Sequence, residues 1–323
     1  MRFSRPVLER LASETGFQSE PLEKALHLLD LLRALCSHPY LSNRFVLKGG
    51  TALNLFLLDL PRLSVDIDLN YVGSRDREVM LAERPAVESA VHAVCARQGL
   101  SIARVPGEHA GGKWRLGFER EDGRVGRLEL DVNYLLRVPL WPPTRRDSLS
   151  VGPVAAHAVP VLDEHELVAG KLAALFGRSA SRDVFDAHLL LTGRPFDADR
   201  LRLAFVVYGA MSRRDWRTVS VDEVTMDPID AERRLVPLLR SNGTPTRRDL
   251  ASWCAHLSAQ CRERLSMLLP LRPEETEFVA SVIDRGEIVP DLLTADPDLR
   301  QRIRSHPALE WRAIQSRTRP PAA

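Results

Sequence analysis

The sequence predicts an α+β fold, and three observations carry that prediction. Short β-prone runs alternate with helical patterns up to about residue 161. From Glu164 onward almost every segment reads as helix. Two glycine-containing turns, Gly49-Gly50-Thr51 and Asp122-Gly123, sit where a strand gives way to a helix and where a hairpin folds back.

Taken in order, residues 4–38 place Leu22, Leu26, Leu29 and Leu32 on one side at helical spacing, which predicts one or two helices. A strand at 45–47 runs through Gly49-Gly50-Thr51 into an apolar helix at 52–58, which Pro61 ends. The next strand spans 64–69, and an Ala/Val-rich helix covers 83–98. A hairpin follows, 114–119 and 125–134, then a proline-rich loop at 139–143 and a further strand within 149–161. The second half predicts helices at 164–178, 182–192, 198–211, 229–240, 246–269 and 274–285, with an irregular tail after 290 whose last, Arg/Pro-rich residues fray. The expected domains are 1–162 and 163–323.

Bulk properties narrow the function classes. In 323 residues, hydrophobic side chains make up 44% and charged ones 27%, the balance of a water-soluble globular chain. The net charge of +2 does not mark a nucleic-acid binder, although it allows a local basic face. The N-terminus has no apolar run behind its basic start, and no stretch approaches the roughly 20 apolar residues of a membrane span. Cys36, Cys95, Cys254 and Cys261 lack metal-site or disulfide spacing, so the expected setting is cytoplasmic, with reduced thiols and no membrane partner. Lysine occurs only at Lys24, Lys48, Lys113 and Lys171, the other basic residues being arginine. A lysine retained inside a motif therefore draws notice.

The segment richest in chemistry is Ser64-Val65-Asp66-Ile67-Asp68-Leu69. On a strand, Val65, Ile67 and Leu69 point one way and Ser64, Asp66 and Asp68 the other. Carboxylates two residues apart lie roughly 7 Å apart by backbone rise and can converge on one hard cation. Such a triplet alone also suits a solvated strand end. Upstream, Lys48-Gly49-Gly50-Thr51 offers glycines for close backbone approach, and Thr51 is positioned to cap a helix whose first amides favour phosphate. Between 127 and 134, Asp131 alternates onto the polar face of a strand expected beside the first, as a third carboxylate for metal binding or proton transfer. Farther on, Lys171 and Arg178 share a helix face, as do Asp183 and Asp186. The basic pair suits the charge on a departing pyrophosphate, and small neighbours around Lys171 would admit a substrate.

Phe45-Val46-Leu47-Lys48-Gly49-Gly50-Thr51-Ala52-Leu53 and Arg62-Leu63-Ser64-Val65-Asp66-Ile67-Asp68-Leu69 resemble the signature of the AbiEii/AbiGii nucleotidyltransferase toxin family, which includes the MenT toxins. Lys171 with Arg178 resembles that family's KxxxxxxR motif, and Arg182-Asp183-Val184-Phe185-Asp186 its RDxxD motif. The resemblance spans residues 8–192. It implies a polymerase-β-like nucleotidyltransferase domain with a mixed sheet, followed by a mainly helical C-terminal domain that contributes Lys171 and RDxxD to the active site. It also implies an NTP substrate, Mg²⁺ or Mn²⁺, an RNA acceptor such as the 3′ end of tRNA, a block on translation and a cognate antitoxin.

Carried over by position, Ser64, Asp66, Asp68, Lys171 and one of Asp183 and Asp186 become the catalytic set and Gly49 and Gly50 the phosphate loop, while Asp131 joins the set from its place on the polar face of its strand. Lys48, Gly49, Gly50, Thr51, Ser64 and Arg178 bind nucleotide, and Asp66, Asp68 and Asp131 hold metal. Two departures stand out. Gly170 occupies the place of a family glutamate, and Gly-Gly-Thr replaces the Gly-Ser of the wider superfamily, leaving the serine's phosphate contact to Thr51 or Ser64.

Beyond residue 195 the resemblance ends. Arg213-Arg214-Asp215-Trp216-Arg217 mixes arginines with an aromatic, a pattern that can grip phosphates and stack a base, although arginine-rich helical surfaces produce it routinely. Trp253 and Trp311 read as core residues. The competing functions are a nucleotidyltransferase for a protein or small molecule, of the antibiotic-modifying type, and a nucleotide-binding module without catalysis.

Overall fold

The computed structural model describes residues 3–107 and 110–318. Its contacts divide the chain into two compact units, Met1–Arg137 with Pro143–Leu162 and Leu235–Thr244, and Val138–Pro142 with Asp163–Arg234 and Pro245–Ala323.

The first unit is built on a mixed seven-stranded sheet. Two helices open it, α1 (Arg5–Thr15) and α2 (Ser19–Ser37), and Leu22, Leu26, Leu29 and Leu32 of α2 are all wholly buried. Strand β1 (Phe45–Lys48) passes directly into a short helix, α3 (Gly49–Ala52), which continues as a wider π-helical turn, Leu53–Leu57. Then come β2 (Asp66–Tyr71), α4 (Arg77–Arg97), β3 (Ser101–Arg104), β4 (Gly111–Glu119), β5 (Val125–Asn133), β6 (Thr144–Arg146) and β7 (Val159–Val161). The order across the sheet is β3-β4-β5-β2-β1-β7-β6. β2 pairs with β5, and β1 with β7, in parallel; the other neighbours are antiparallel. Alternation explains β5: Gly126, Leu128, Leu130 and Val132 are buried, whereas Arg127, Glu129, Asp131 and Asn133 keep some exposure. Its hairpin turns at Asp122-Gly123, where Gly123 takes φ +78° and the Asp122 carboxylate accepts from the Arg124 amide at 2.9 Å.

The second unit is helical: α5 (Glu164–Arg178), α6 (Ser181–Gly193), α7 (Ala198–Met211), the single turn α8 (Pro228–Asp230), α9 (Leu250–Leu265), α10 (Pro273–Ala280), α11 (Pro297–Arg304) and α12 (Pro307–Thr318). Several starts are written into the sequence. Asp163 and Asp197 cap α5 and α7 with their side chains, and Asp296 caps α11 with Pro297 in its first turn.

Four expectations change. The strand of 64–69 begins at Asp66 instead, so Ser64 lies just before it. The strand expected within 149–161 is confined to β7, and a further short strand, β6, precedes that range. No continuous helix covers 229–240: Pro237 has no amide to donate, and the segment breaks into a π-turn, Ala231–Leu235, and a 3₁₀ turn, Val236–Leu238. The tail after 290 folds into α11 and α12, while the frayed end expected beyond Thr318 lies outside the described residues. Among the described residues, no helix is long and apolar enough to cross a membrane.

Candidate active site

In the first unit, β2 carries Asp66 and Asp68 on one face of the sheet, each half-buried. The parallel register sets Asp66 opposite Glu129 and Asp68 opposite Asp131. On its other side Asp68 faces Lys48 across β1, and Asp131 faces Lys113 across β4. Four neighbouring strands thus align Lys48, Asp68, Asp131 and Lys113 in one row. Cross-strand partners share a face and lie close, so their charges interact directly. Burial raises the Asp131 carboxyl above its usual range, with Asp68 and Glu129 adding to the effect and Lys48 and Lys113 opposing it. The next row holds Asp66, Glu129 and Arg115. Lys113 donates to Glu129 Oε2 at 2.7 Å, which holds that carboxyl low against the effect of burial.

The turn after β1 closes on this row. Gly49 adopts φ +73°, and a Cβ there would fall 2.1 Å from Asp68 Oδ2. Only glycine lets the backbone pass so close to that carboxylate. Gly50 is crowded more mildly: a Cβ would lie 3.2 Å from both Ser64 Oγ and Arg62 Nη2. Thr51 departs from expectation. The helix starts at Gly49 with Lys48 as its cap, so Thr51 is already inside the first turn. Its fully buried hydroxyl donates to the Asp66 carbonyl at 2.5 Å and ties α3 to β2 instead of facing a phosphate. Ser64 is nearly buried beside Gly50.

The second unit gathers the other motif residues. α5 and α6 are joined through Ser179, at φ +48°, and Ala180. Lys171 Nζ lies 2.8 Å from Asp183 Oδ1 and 2.8 Å from Asp186 Oδ2, and all three side chains are buried. Arg178 grips Asp183 with two bonds, Nε to Oδ2 at 2.7 Å and Nη2 to Oδ1 at 3.1 Å, its guanidinium largely in solvent. Burial pushes the Asp183 carboxyl up, but Lys171 and Arg178 outweigh it and hold it below its ordinary value. The small neighbours of Lys171 therefore surround an ammonium already matched by two carboxylates. A Cβ at Gly170 would make only ordinary contact with Tyr208, so sterics do not demand glycine there. One turn before Lys171, Glu166 is 1% exposed and accepts from the Trp141 amide and the Tyr208 hydroxyl, each at 3.1 Å.

Sequence reasoning passed over Lys113 and Glu129 as site residues. The signal for Lys113 was the scarcity of lysine, and for Glu129 its place on the polar face of β5. Lys48 and Lys113 flank the carboxylate row, Lys24 lowers the proton affinity of Glu129, and Lys171 anchors the second cluster. The expected stacking group at 213–217 is not available, because Trp216 is buried against Phe176 and Phe205 and Arg217 is paired with Asp215 and Asp284. Trp311 is not core either: it keeps 37% exposure, and Trp253 is half-buried.

The sequence model described as nucleotidyl transferase AbiEii toxin of type IV toxin–antitoxin systems matches residues 30–320. The chain belongs to the AbiEii family. It is a nucleotidyltransferase toxin of a type IV toxin–antitoxin system, which implies a cognate antitoxin as partner. Among solved structures it is similar to MenT4, a nucleotidyltransferase toxin of Mycobacterium tuberculosis, with a TM-score of 0.63 and 20% identity over 95% of this chain and 99% of that one. That likeness shows a shared fold. A comparison with curated proteins finds no match. In this AbiEii chain the four motifs occupy two places, Gly49 beside the Asp66/Asp68 strand in one unit and the Lys171–Asp183–Asp186 cluster in the other.

Proposed function

We propose that this AbiEii toxin transfers a nucleoside monophosphate from an NTP to an RNA acceptor, with the 3′ end of tRNA as the expected site, and that this blocks translation. The observation that carries the reading is the row of Lys48, Asp68, Asp131 and Lys113 across four strands, closed on one side by the Gly49 turn. Two lysines bracket two carboxylates, as a site for a polyanionic substrate and a cation requires. The RNA acceptor and the translation block rest on the family resemblance.

Among the described residues, no three His, Cys, Asp or Glu side chains are gathered closely enough to hold a metal by themselves. The donors suit Mg²⁺ or Mn²⁺ all the same, because Mg²⁺ commonly takes one or two carboxylates and completes its shell with water and substrate phosphate. Asp68 and Asp131 act unfavourably on each other's charge across the β2–β5 pair. Asp66 and Asp68 would hold the ion, which would supply charge neutralisation on the triphosphate, with Asp131 beside them left to accept a proton.

The rest of the chemistry belongs to the chain. The first-turn amides of α3 lack partners within the helix and can meet phosphate oxygens. Lys48 and Lys113 offset charge at either end of the row. The acceptor hydroxyl oxygen attacks the α-phosphorus, the bond to the bridging oxygen of pyrophosphate breaks, and the hydroxyl proton passes to Asp131. A carboxylate with raised proton affinity is the better base for that step. In the second unit, Asp183 and Asp186 fix Lys171 in direction through two contacts of 2.8 Å, and Arg178 holds Asp183 from solvent.

Incubation with total tRNA, Mg²⁺ and each labelled NTP, beside an Asp66→Ala control, tests the proposal. Label on RNA that disappears in the control supports it, and the nucleotide that labels is identified at once. Label on protein, or pyrophosphate release without labelled RNA, moves the acceptor to a protein or small molecule. Asp66→Ala with near-wild-type transfer overturns the carboxylate assignment.

A further inference from the structure

A cavity of about 280 Å³ opens in the first unit where β2 and β5 begin. Pro21, Val65, Phe118 and Leu238 give it apolar walls, and Glu23 and Arg120 contribute polar groups. Lys24 and Arg127 also line it. These two connect it to the carboxylate row: Lys24 acts on the charge of Glu129, and Arg127 lies two residues before Glu129 on the same face of β5. Val65 immediately precedes Asp66. The cavity lies at the strand starts, about one strand repeat, roughly 7 Å, from the Asp66–Glu129 pair, with Arg127 on the carboxylate face and Phe118 and Gly126 on the opposite one.

We infer that this cavity seats the base of the incoming NTP, and that Glu23 and Arg120 read the base's hydrogen-bonding edge. The inference rests on the nucleotidyl transfer proposed above. Its volume lies near the lower end of the roughly 300–1,000 Å³ of small-ligand clefts, room for a planar heterocycle and too little for a polymer. Pro21, Val65, Pro237 and Leu238 offer apolar surface to the faces of a ring, and Glu23 and Arg120 offer polar groups to its edge. Glu23 is 2% exposed, and its Oε1 accepts from the Glu121 amide at 2.8 Å. Arg120 donates through Nη1 to Glu20 at 2.6 Å, but its Nε is buried without a hydrogen-bond partner. Neither Asp122 Oδ1 at 3.6 Å nor Glu23 Oε2 at 3.9 Å is close enough to supply one. A buried N–H left unpaired is costly, and a ligand that accepts from it recovers that cost. Each nucleobase edge presents an acceptor beside a donor, which complements an N–H next to a carboxylate. Phe118 does not serve as a stacking face, since its ring already packs on His27 at 4.2 Å between centroids. Specificity thus resides in the edge contacts.

The test compares full-length wild type, Glu23→Gln and Gln18→Trp by titration calorimetry with ATP, GTP, CTP and UTP separately, without acceptor. Gln18 is an exposed lining residue whose side chain makes no cap bond, so tryptophan there can fill the cavity without disturbing the core. The expected result is about a tenfold change in the relative affinities of the four NTPs for Glu23→Gln, the size of one directed hydrogen bond. Gln18→Trp is expected to weaken all four together. If both variants keep the wild-type affinities and ranking, the base lies elsewhere and the inference falls. Because no acceptor is present, a wrong RNA assignment leaves this comparison intact, whereas a wild type that binds no NTP overturns the inference directly.

Discussion

Across the parallel pair β2–β5, Asp68 stands directly opposite Asp131, and the backbone of Gly49 closes on the Asp68 carboxylate from the other side. The Asp131 carboxyl has a raised proton affinity, burial being the main cause and Asp68 a further one. A base must be unprotonated, so transfer should rise with pH as Asp131 loses its proton, along an acidic limb displaced upward from the ordinary carboxylate range. Asp131→Asn is expected to lower kcat by ~10²–10⁴-fold and to remove that limb. A pH–kcat profile of both proteins decides it; an unchanged limb in the variant assigns the titration to another group.

Gly49→Ala should inactivate the toxin while Gly50→Ala is tolerated better. The first puts a methyl 2.1 Å from Asp68 Oδ2 at a backbone φ of +73°, so either the carboxylate or the turn must move. The second meets only Ser64 and Arg62 side-chain ends at 3.2 Å. Backbone strain of this kind costs about 1–3 kcal/mol, and displacement of Asp68 adds a loss of transfer beyond the loss of stability. Thermal melts alongside transfer assays separate the two effects. Equal activity in the two variants would remove Gly49's special role.

Lys171 invites a misleading experiment. Its replacement by methionine leaves Asp183 and Asp186 buried without their ammonium, which is expected to destabilise the helical unit by about 3–5 kcal/mol. Lost activity alone would then say little about chemistry. Lys171→Met combined with Asp186→Asn should recover part of the melting temperature, because one uncompensated charge is removed. If transfer stays absent in the refolded double variant but persists in Asp186→Asn alone, Lys171 acts in the reaction as well as in the fold.

Much of this arrangement was legible in the sequence because it follows local rules. Alternation placed Asp66, Asp68 and Asp131 on polar faces, and glycines marked the turn at Gly49. What was not legible depends on register and on tertiary partners. Lys113 meets Asp131 and Glu129 only because β4 folds back with one specific offset, and a slip of one residue would have sent it to the opposite face. Thr51 looked like a helix cap, yet the helix began two residues earlier and its hydroxyl found the Asp66 carbonyl. The period-3.6 pattern of 229–240 was overruled by Pro237, whereas Pro297 and Pro307, in first turns, start helices that the charged tail had concealed.

Glu166 makes the helical unit sensitive to pH. Burial lifts its carboxyl from the ordinary 4.5 to about 7, although the amides of Leu140 and Trp141 and the Tyr208 hydroxyl oppose the shift. The folded protein therefore binds a proton here that the unfolded chain has already released between these two values. Stability contributed by the protonated group is complete below about 4.5 and is lost progressively as pH rises toward 7. Over that interval the loss from this one group is about 3 kcal/mol. Glu166→Gln keeps the shape and the acceptor oxygen but cannot ionise, so its stability should be flatter across the same window. Denaturant melts of both proteins between pH 5 and 8 check this: parallel curves would mean that Glu166 does not titrate there, and convergence of the pair at the acid end is the expected outcome.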